Sequence, residues 1–241
     1  MIYTAAAIVI GDEVLSGKVR DENGPYLVDR FRAAGIRVAR ILTVGDDPDE
    51  IGWAVKACRG RYEPVVTSGG IGPTHDDVTV PAVARALGRN VVRSPEIEAG
   101  LRARRGVLPE AALRLAELPE GGRLVQTPGT WFPVIEVEGI YLLPGIPELF
   151  RMHLDSLAER FAGPPFVLRC LFLSTGETAI AAILDRIVST HRRVAIGSYP
   201  RLDAPDYRVK LTVESRDAAA VDEAIAALVA ALPAEAVVRV E

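Results

Sequence analysis

The chain reads as a doubly wound, mostly parallel α/β domain followed by a small α+β domain, and three observations predict this. Apolar strand-like runs alternate with helical stretches through most of the 241 residues. The first run, residues 3–10, is almost wholly apolar rather than alternating, as a central parallel strand covered on both faces requires. A composition break at Gly163-Pro164-Pro165 precedes a second strand–helix pattern and places the domains at 1–162 and 163–241.

Taken in order, Gly11 ends the first strand, and the loop through Gly17 carries Asp12 and Glu13. Asn23 or Asp21 starts a helix that tolerates Pro25 in its first turn, lines one face with Leu27, Phe31 and Ala34, and closes at Gly35. Residues 36–44 form the second strand, and Asp47-Pro48 supplies the N-cap and first position of a helix through Ile51, Val55 and Cys58. From Pro64 a short apolar strand leads to a loop with Gly69, Gly70 and Gly72. A helix enters near Thr79, with Val80, Val83, Ala84 and Leu87 on its inner face. Ser94-Pro95-Glu96 repeats the cap-plus-proline signal, and residues 95–118 read as helical with a break at 106–109.

Residues 124–127, 134–137 and 140–143 read as strands, with Glu138-Gly139 as a hairpin turn. Pro144-Gly145-Ile146-Pro147 leads into a helix carrying Leu149, Met152, Leu157 and Phe161. Beyond the break, 166–173, 194–199, 207–215 and 236–240 are strands, and 177–189 and 218–232 are helices. That order, βαββαβ, is the ferredoxin-like split motif.

Composition narrows the function. A net charge of −4 with mixed surface charge lacks the basic stripe that nucleic acid requires. No apolar run approaches the ~20 residues that span a bilayer. The start, Met1-Ile2-Tyr3-Thr4-Ala5, lacks the basic region of a signal peptide and runs straight into a strand. Cys58 and Cys170 stand far apart in no metal or redox spacing, which fits buried thiols in a reducing cytoplasm.

The chemistry concentrates in SGGIGPTHDDVT, residues 68–79. Glycines at a strand's end let the backbone approach a ligand and turn N–H groups inward, and a following helix start suits a phosphate. Asp76 and Asp77 beside such a nest suggest a divalent metal or a carboxylate acting on a phosphorylated ligand. Two familiar glycine loops do not fit. His75 stands where a dinucleotide fingerprint needs its third glycine. The run from Gly11 to Lys18 has one residue too many for a P-loop, and Val19 replaces the magnesium-binding hydroxyl.

The loop resembles the signature of the MoaB/MogA molybdopterin-binding superfamily, in the version of the N-terminal domain of CinA (competence/damage-inducible) proteins. It is also similar to the molybdopterin-binding-like domain of eukaryotic FAD synthases. GDEVLSG (11–17), DENG (21–24), VGDD (44–47) and LPGIPELF (143–150) occur in the family's order. The resemblance implies a MoaB/MogA-like first domain and a small ferredoxin-like domain after it. It further implies a small phosphorylated ligand: molybdopterin, ADP-ribose or an FAD-like nucleotide. In CinA-type domains it implies metal-assisted hydrolysis of a pyrophosphate bond; in the MogA branch, adenylyl transfer onto molybdopterin. The third alternative is a binding module without turnover. The 241 residues are too few to include the deamidase domain that ends longer CinA proteins. Relatives form dimers and trimers, so a homo-oligomer is expected.

Carried onto this chain, the resemblance makes Asp77 and Asp46 the catalytic candidates. Capping a helix explains Asp77 as well, and Asp46 doubles as an ordinary loop acid beside the N-cap Asp47. Asp76 departs from the molybdopterin-handling enzymes, which often have arginine there. Asp12, Glu13, Asp46, Asp76 and Asp77 form a candidate oxygen-ligand set for Mg, Mn or Co. Gly11, Ser16, Gly17, Asn23, Ser68 and Thr74 are candidate ligand contacts, with Gly69, Gly70 and Gly72 for phosphate and Pro144-Gly145 as a second anion-facing rim. His75 lies near the chemistry, while His153 and His191 read as structural. Tyr199 is read as a packing residue, with a ligand cover or dimer stack as the alternative, and Glu177 as an ordinary helix-start acid.

Overall fold

Small and β-branched side chains in an unbroken row make Thr4–Ile10 the central strand β1. Both its faces are covered: Ala6, Ile8 and Ile10 enter one hydrophobic core, Ala5 and Ala7 another. The structure is a computed structural model that describes residues 2–201 and 205–241; Met1, part of the start read above, lies outside the described residues. After β1 come α1 (Asp12–Leu15), α2 (Asn23–Ala33), β2 (Arg37–Val44), α3 (Pro48–Cys58), β3 (Val65–Ser68) and α4 (Thr79–Ala86). Then follow β4 (Val91–Arg93), α5 (Pro95–Arg105), α6 (Glu110–Leu113), β5 (Glu117–Pro119), β6 (Arg123–Val125), β7 (Val134–Val137), β8 (Ile140–Leu143) and α7 (Pro147–Arg160).

The main sheet has the order β2-β1-β3-β8-β7-β6. Its first four strands are parallel, and β7 and β6 are antiparallel. One core receives Ile51 and Val55 of α3, Val83 of α4 and Leu101 of α5. The opposite core receives Leu27 and Phe31 of α2 and Phe150 and Leu154 of α7. Phe31 and Phe150 are fully buried, each contributing about 1.5–3 kcal/mol by leaving water. The chain runs outward from β1 to β2 and returns to place β3 on β1's other side, so strand order reverses between β1 and β3. Crevices beyond the carboxyl ends at such a reversal are where open α/β sheets hold ligands.

Three expectations need correction. Residues 117–118 are not helical: they pair with β4, Arg93 opposite Glu117 and Val92 opposite Leu118. Pro119 pushes the residue before it out of the helical region, which stops the helix and frees the segment to pair. The strand expected at 124–127 ends at Val125, and Pro128 acts on Thr127 in the same way. Asp12 and Glu13 lie in a single helical turn rather than an open loop. The hairpin between β7 and β8 is as expected: Glu138 (φ 51°) and Gly139 (φ 78°) are both left-handed, as a type I′ turn needs.

The chain divides into two units, Met1–Gly163 and Pro164–Glu241. The second contains β9 (Val167–Leu173), α8 (Glu177–Thr190), β10 (Ala195–Pro200), β11 (Val209–Ser215), α9 (Ala218–Ala231) and β12 (Val237–Val240). Its sheet is antiparallel with the order β10-β11-β9-β12, the ferredoxin-like arrangement. Ile180 and Ile187 of α8 and Val221 and Leu228 of α9 pack on Leu171, Val209 and Leu211. Asp217 caps α9 by accepting from the Ala220 N–H. No helix among the described residues is long and apolar enough to cross a membrane.

Candidate functional site

The loop after β3 owes its shape to close backbone approach. Gly69 has φ 106°, and a Cβ there would collide with the Ile10 carbonyl oxygen. Gly70 has φ 66°, and a Cβ there would strike the Thr79 hydroxyl. That hydroxyl donates to the Gly69 carbonyl (2.9 Å), and the Thr79 N–H donates to the Gly70 carbonyl (2.9 Å), so the start of α4 grips the loop. Asp77 grips it from within. One carboxylate oxygen accepts from the Gly72 N–H (2.6 Å), and the other from the Thr74 N–H (2.8 Å) and hydroxyl (2.5 Å). Outside, Arg114 donates to the carbonyls of Thr74 (2.5 Å) and Asp77 (3.1 Å). Among the described residues the Gly70 and Ile71 N–H groups are left without an acceptor.

Asn23 joins this loop to the one after β8. Its amide donates to the Ser68 hydroxyl and to the Gly145 carbonyl, both at 2.9 Å. The residue is buried, and its Oδ1 has no partner. Asp21 opens the helix by accepting from the N–H groups of Asn23 (3.0 Å) and Gly24 (2.9 Å). At the start of α7 no side chain caps the helix; Pro147 has no N–H and the Phe150 N–H bonds the Ile146 carbonyl, so the Glu148 and Leu149 N–H groups remain.

These loops border a cavity of about 580 Å³. Gly69, Gly70, Gly72 and Asp77 line one part of it, with Pro144 and Gly145 beside them. Glu13 lines it from α1 and Arg105 from α5. Most of the rest is apolar or aromatic: Ile146 just before α7 and Leu149 within it, with Trp131 and Phe132 from the coil before β7, beside Thr130. His153 completes that wall. Of the expected site residues, Gly11, Asp12, Ser16, Gly17, Asn23, Asp46, Ser68, Thr74 and Asp76 do not line the cavity. Asn23, Ser68 and Thr74 shape its loops instead. Ser16 is exposed, and its hydroxyl donates to the Glu13 carbonyl (3.4 Å).

The acidic residues form a second feature at the ends of β1 and β2. Asp12 and Asp46 exchange bonds: the Asp12 N–H donates to Asp46 (2.9 Å) and the Asp46 N–H to Asp12 (3.4 Å). Burial pushes the Asp46 carboxyl above its usual range. The Asp12 N–H opposes this, while the charges of Glu13, Asp12 and Asp76 add to it. Asp47 caps α3, accepting from Asp49 (2.7 Å) and Glu50 (3.1 Å). Among the described residues no group of three or more His, Cys, Asp or Glu side chains is gathered to hold a metal. The five acids expected as a ligand set are therefore not gathered into a preformed cage.

Sequence reasoning missed Trp131, Phe132, Arg105, Arg114 and His153. His153 alone left a signal, a polar side chain on the inner face of a helix whose neighbours Phe150, Leu154 and Leu157 are core residues. It is 2% exposed, its Nδ1 lies 3.0 Å from the Thr127 hydroxyl, and burial lowers its pKa to about 4, so the ring is neutral.

Residues 6–163 match the family described as "Probable molybdopterin binding domain", and residues 165–241 match "FAD synthase, middle domain". The chain is 30% identical to a "Probable FAD synthase" of Caenorhabditis elegans, over 93% of its own length and 49% of that protein's. It is 34% identical to a "CinA-like protein" of Gemmatimonas aurantiaca, over 88% of its own length and 54% of that protein's. It thus spans about half the length of these two curated relatives. The crystal structure of the protein CinA, of unknown function, from Thermoplasma acidophilum covers 66% of this chain and 98% of that one, at 29% identity and a TM-score of 0.60. The extent of these matches, together with the glycine loop and its sheet, establishes that the chain belongs to the molybdopterin-binding-domain family, in the form found in CinA-like proteins and FAD synthases.

Proposed function

We propose that the cavity binds a nucleotide and that the chain hydrolyses a pyrophosphate bond in ADP-ribose or an FAD-like compound, with a divalent cation. The observation that carries this reading is a cavity with two kinds of wall. Unengaged N–H groups of Gly70 and Ile71 and the uncapped start of α7 suit phosphate, while Trp131 and Phe132 suit a flat ring. Arg105 has no hydrogen bond or ion pair among the described residues, and its cation is available to the same phosphates.

Water would add to one phosphorus in line with the bridging oxygen. The P–O–P bond would break, giving AMP and ribose 5-phosphate from ADP-ribose. The loop N–H groups and Arg105 offset the charge that grows on the phosphoryl oxygens. Glu13, which borders the cavity from α1, would take the water's proton. A bound Mg²⁺, Mn²⁺ or Co²⁺, held by Asp46 with Asp12 or Asp76, would supply further charge neutralisation. Asp77, with both oxygens occupied, acts by holding the loop.

The test is product release from ADP-ribose, FAD, NAD and ATP with each metal in turn, resolved chromatographically. AMP formed by the wild type and lost in Glu13→Gln supports the reading. No release from any substrate with any metal sinks it. The occupied carboxylate of Asp77 favours one second reading, molybdopterin binding without turnover; tight binding with no product under every metal would select it.

A further inference from the structure

We propose that His153 reads the nitrogen heteroaromatic base of the bound nucleotide through its Nε2 atom, with Thr127 fixing the ring. This rests on the nucleotide reading of the cavity. On α7 the neighbouring inner positions are the apolar Phe150, Leu154 and Leu157. If packing were the only demand at position 153, an apolar side chain would meet it, and burying an imidazole is costly unless its polar atoms are used. Only one of them is used by the protein. Nδ1 meets the Thr127 hydroxyl at 3.0 Å, and Nε2 has no hydrogen-bond partner among the described residues. Thr127 is itself buried, at 4% exposure. Holding one ring nitrogen restricts the imidazole's rotation and sets which edge the other presents.

The surroundings name the ligand chemistry. His153 borders the cavity together with Leu149, Trp131 and Phe132, an apolar and aromatic wall suited to the face of a flat ring. With its pKa lowered to about 4 by burial, the imidazole offers one neutral donor or acceptor near pH 7. A neutral group suits the uncharged edge of a base. The phosphates have the Gly70 and Ile71 N–H groups and Arg105. A site built around a buried hydrogen-bonding group discriminates strongly against a ligand that cannot pair with it, because the group is then left unsatisfied.

The experiment compares AMP with ribose 5-phosphate, which keeps sugar and phosphate but lacks the base. Affinities are measured by calorimetry on the full chain, for wild type and for His153→Leu, His153→Gln and Thr127→Val. The wild type is expected to prefer AMP. His153→Leu should reduce that preference about tenfold or more and leave ribose 5-phosphate affinity unchanged. Gln, which can still hydrogen-bond, should restore part of it, and Thr127→Val should reduce it several-fold. A preference unchanged in both His153→Leu and Thr127→Val overturns the role of His153 while leaving the nucleotide site standing. If the wild type binds neither compound, the nucleotide reading falls and takes this inference with it. Should His153→Leu fail to fold, Thr127→Val decides alone.

Discussion

Asp77 offers the sharpest test of how the glycine loop works. Its two oxygens accept three bonds from Gly72 and Thr74, at 2.5–2.8 Å. Asp77→Asn keeps one acceptor and places an amide NH₂ against donors, so at least one charged bond is lost. Hydrogen bonds to charged groups contribute about 1.5–3 kcal/mol when buried. Thr74 is exposed, so the lower end applies: about 2 kcal/mol for Asp77→Asn and about 1 kcal/mol for Thr74→Val, which removes only the hydroxyl. In a domain of this size 1 kcal/mol moves Tm by roughly 2–4 °C. The two substitutions touch one network, so the double variant should lose about 1 kcal/mol less than the sum. Circular dichroism melts and AMP affinity are read together. If Asp77 works by holding the loop, Thr74→Val weakens AMP binding in step with its loss of stability. The reasoning is refuted if Asp77→Asn abolishes turnover at an unchanged Tm while Thr74→Val matches the wild type in everything, because Asp77 would then act on the ligand directly.

Further outcomes follow from single features of the first unit. Gly69→Ala should lower stability by at least about 1–2 kcal/mol, since a left-handed non-glycine costs that much before the clash with Ile10 is added; thermal melts check it. Asp47→Ala removes the α3 cap and should cost about 1 kcal/mol while leaving AMP affinity unchanged. Asp46→Asn keeps an acceptor for the Asp12 N–H and removes the charge. The folded Asp46 carboxyl sits above its unfolded value, so its ionised form opposes folding at neutral pH and ceases to do so once acid protonates it. The variant should therefore melt higher than wild type at pH 7 and alike near pH 3, and millimolar Mg²⁺ should raise the melting point of the wild type only. His153 stays neutral in the fold down to about pH 4, whereas the unfolded chain protonates it near 6.5. Stability is thus full above pH 6.5 and declines by roughly 3 kcal/mol as the pH falls to 4, a slope that His153→Gln flattens in urea titrations.

What the sequence disclosed follows from how local each signal is. The β7–β8 hairpin is legible because two adjacent residues, Glu138 and Gly139, carry the turn. The Asp47 cap is legible for the same reason. The glycine loop announces itself because Gly69 and Gly70 adopt backbone angles and contacts that side chains resist. By contrast, α1 and the strands β4 and β5 span so few residues that no periodicity can develop. The aromatic wall comes from coil residues 131–132, whose side chains reach the cavity only after β7 and α7 have packed. Asp77 shows a different limit. Its chemistry was visible, but whether its carboxylate faces a ligand or its own loop depends on where Gly72 and Thr74 place their donors.

The short ladder between β4 and β5 has an architectural consequence. It brings the entry and exit of the excursion from 91 to 119 side by side, a few ångströms apart across an antiparallel pair. The segment thus leaves and rejoins the domain at neighbouring points, with Ile97 and Leu101 anchoring it in the core, and the length of chain between these anchors can vary at little entropic cost. Yet the segment supplies Leu101, Arg105 and Leu115 to the cavity and the Arg114 anchor to the glycine loop. Ligand preference can accordingly be rewritten by changing the cavity-facing residues of one excursion, provided that Ile97 and Leu101 keep it seated on the frame of parallel strands.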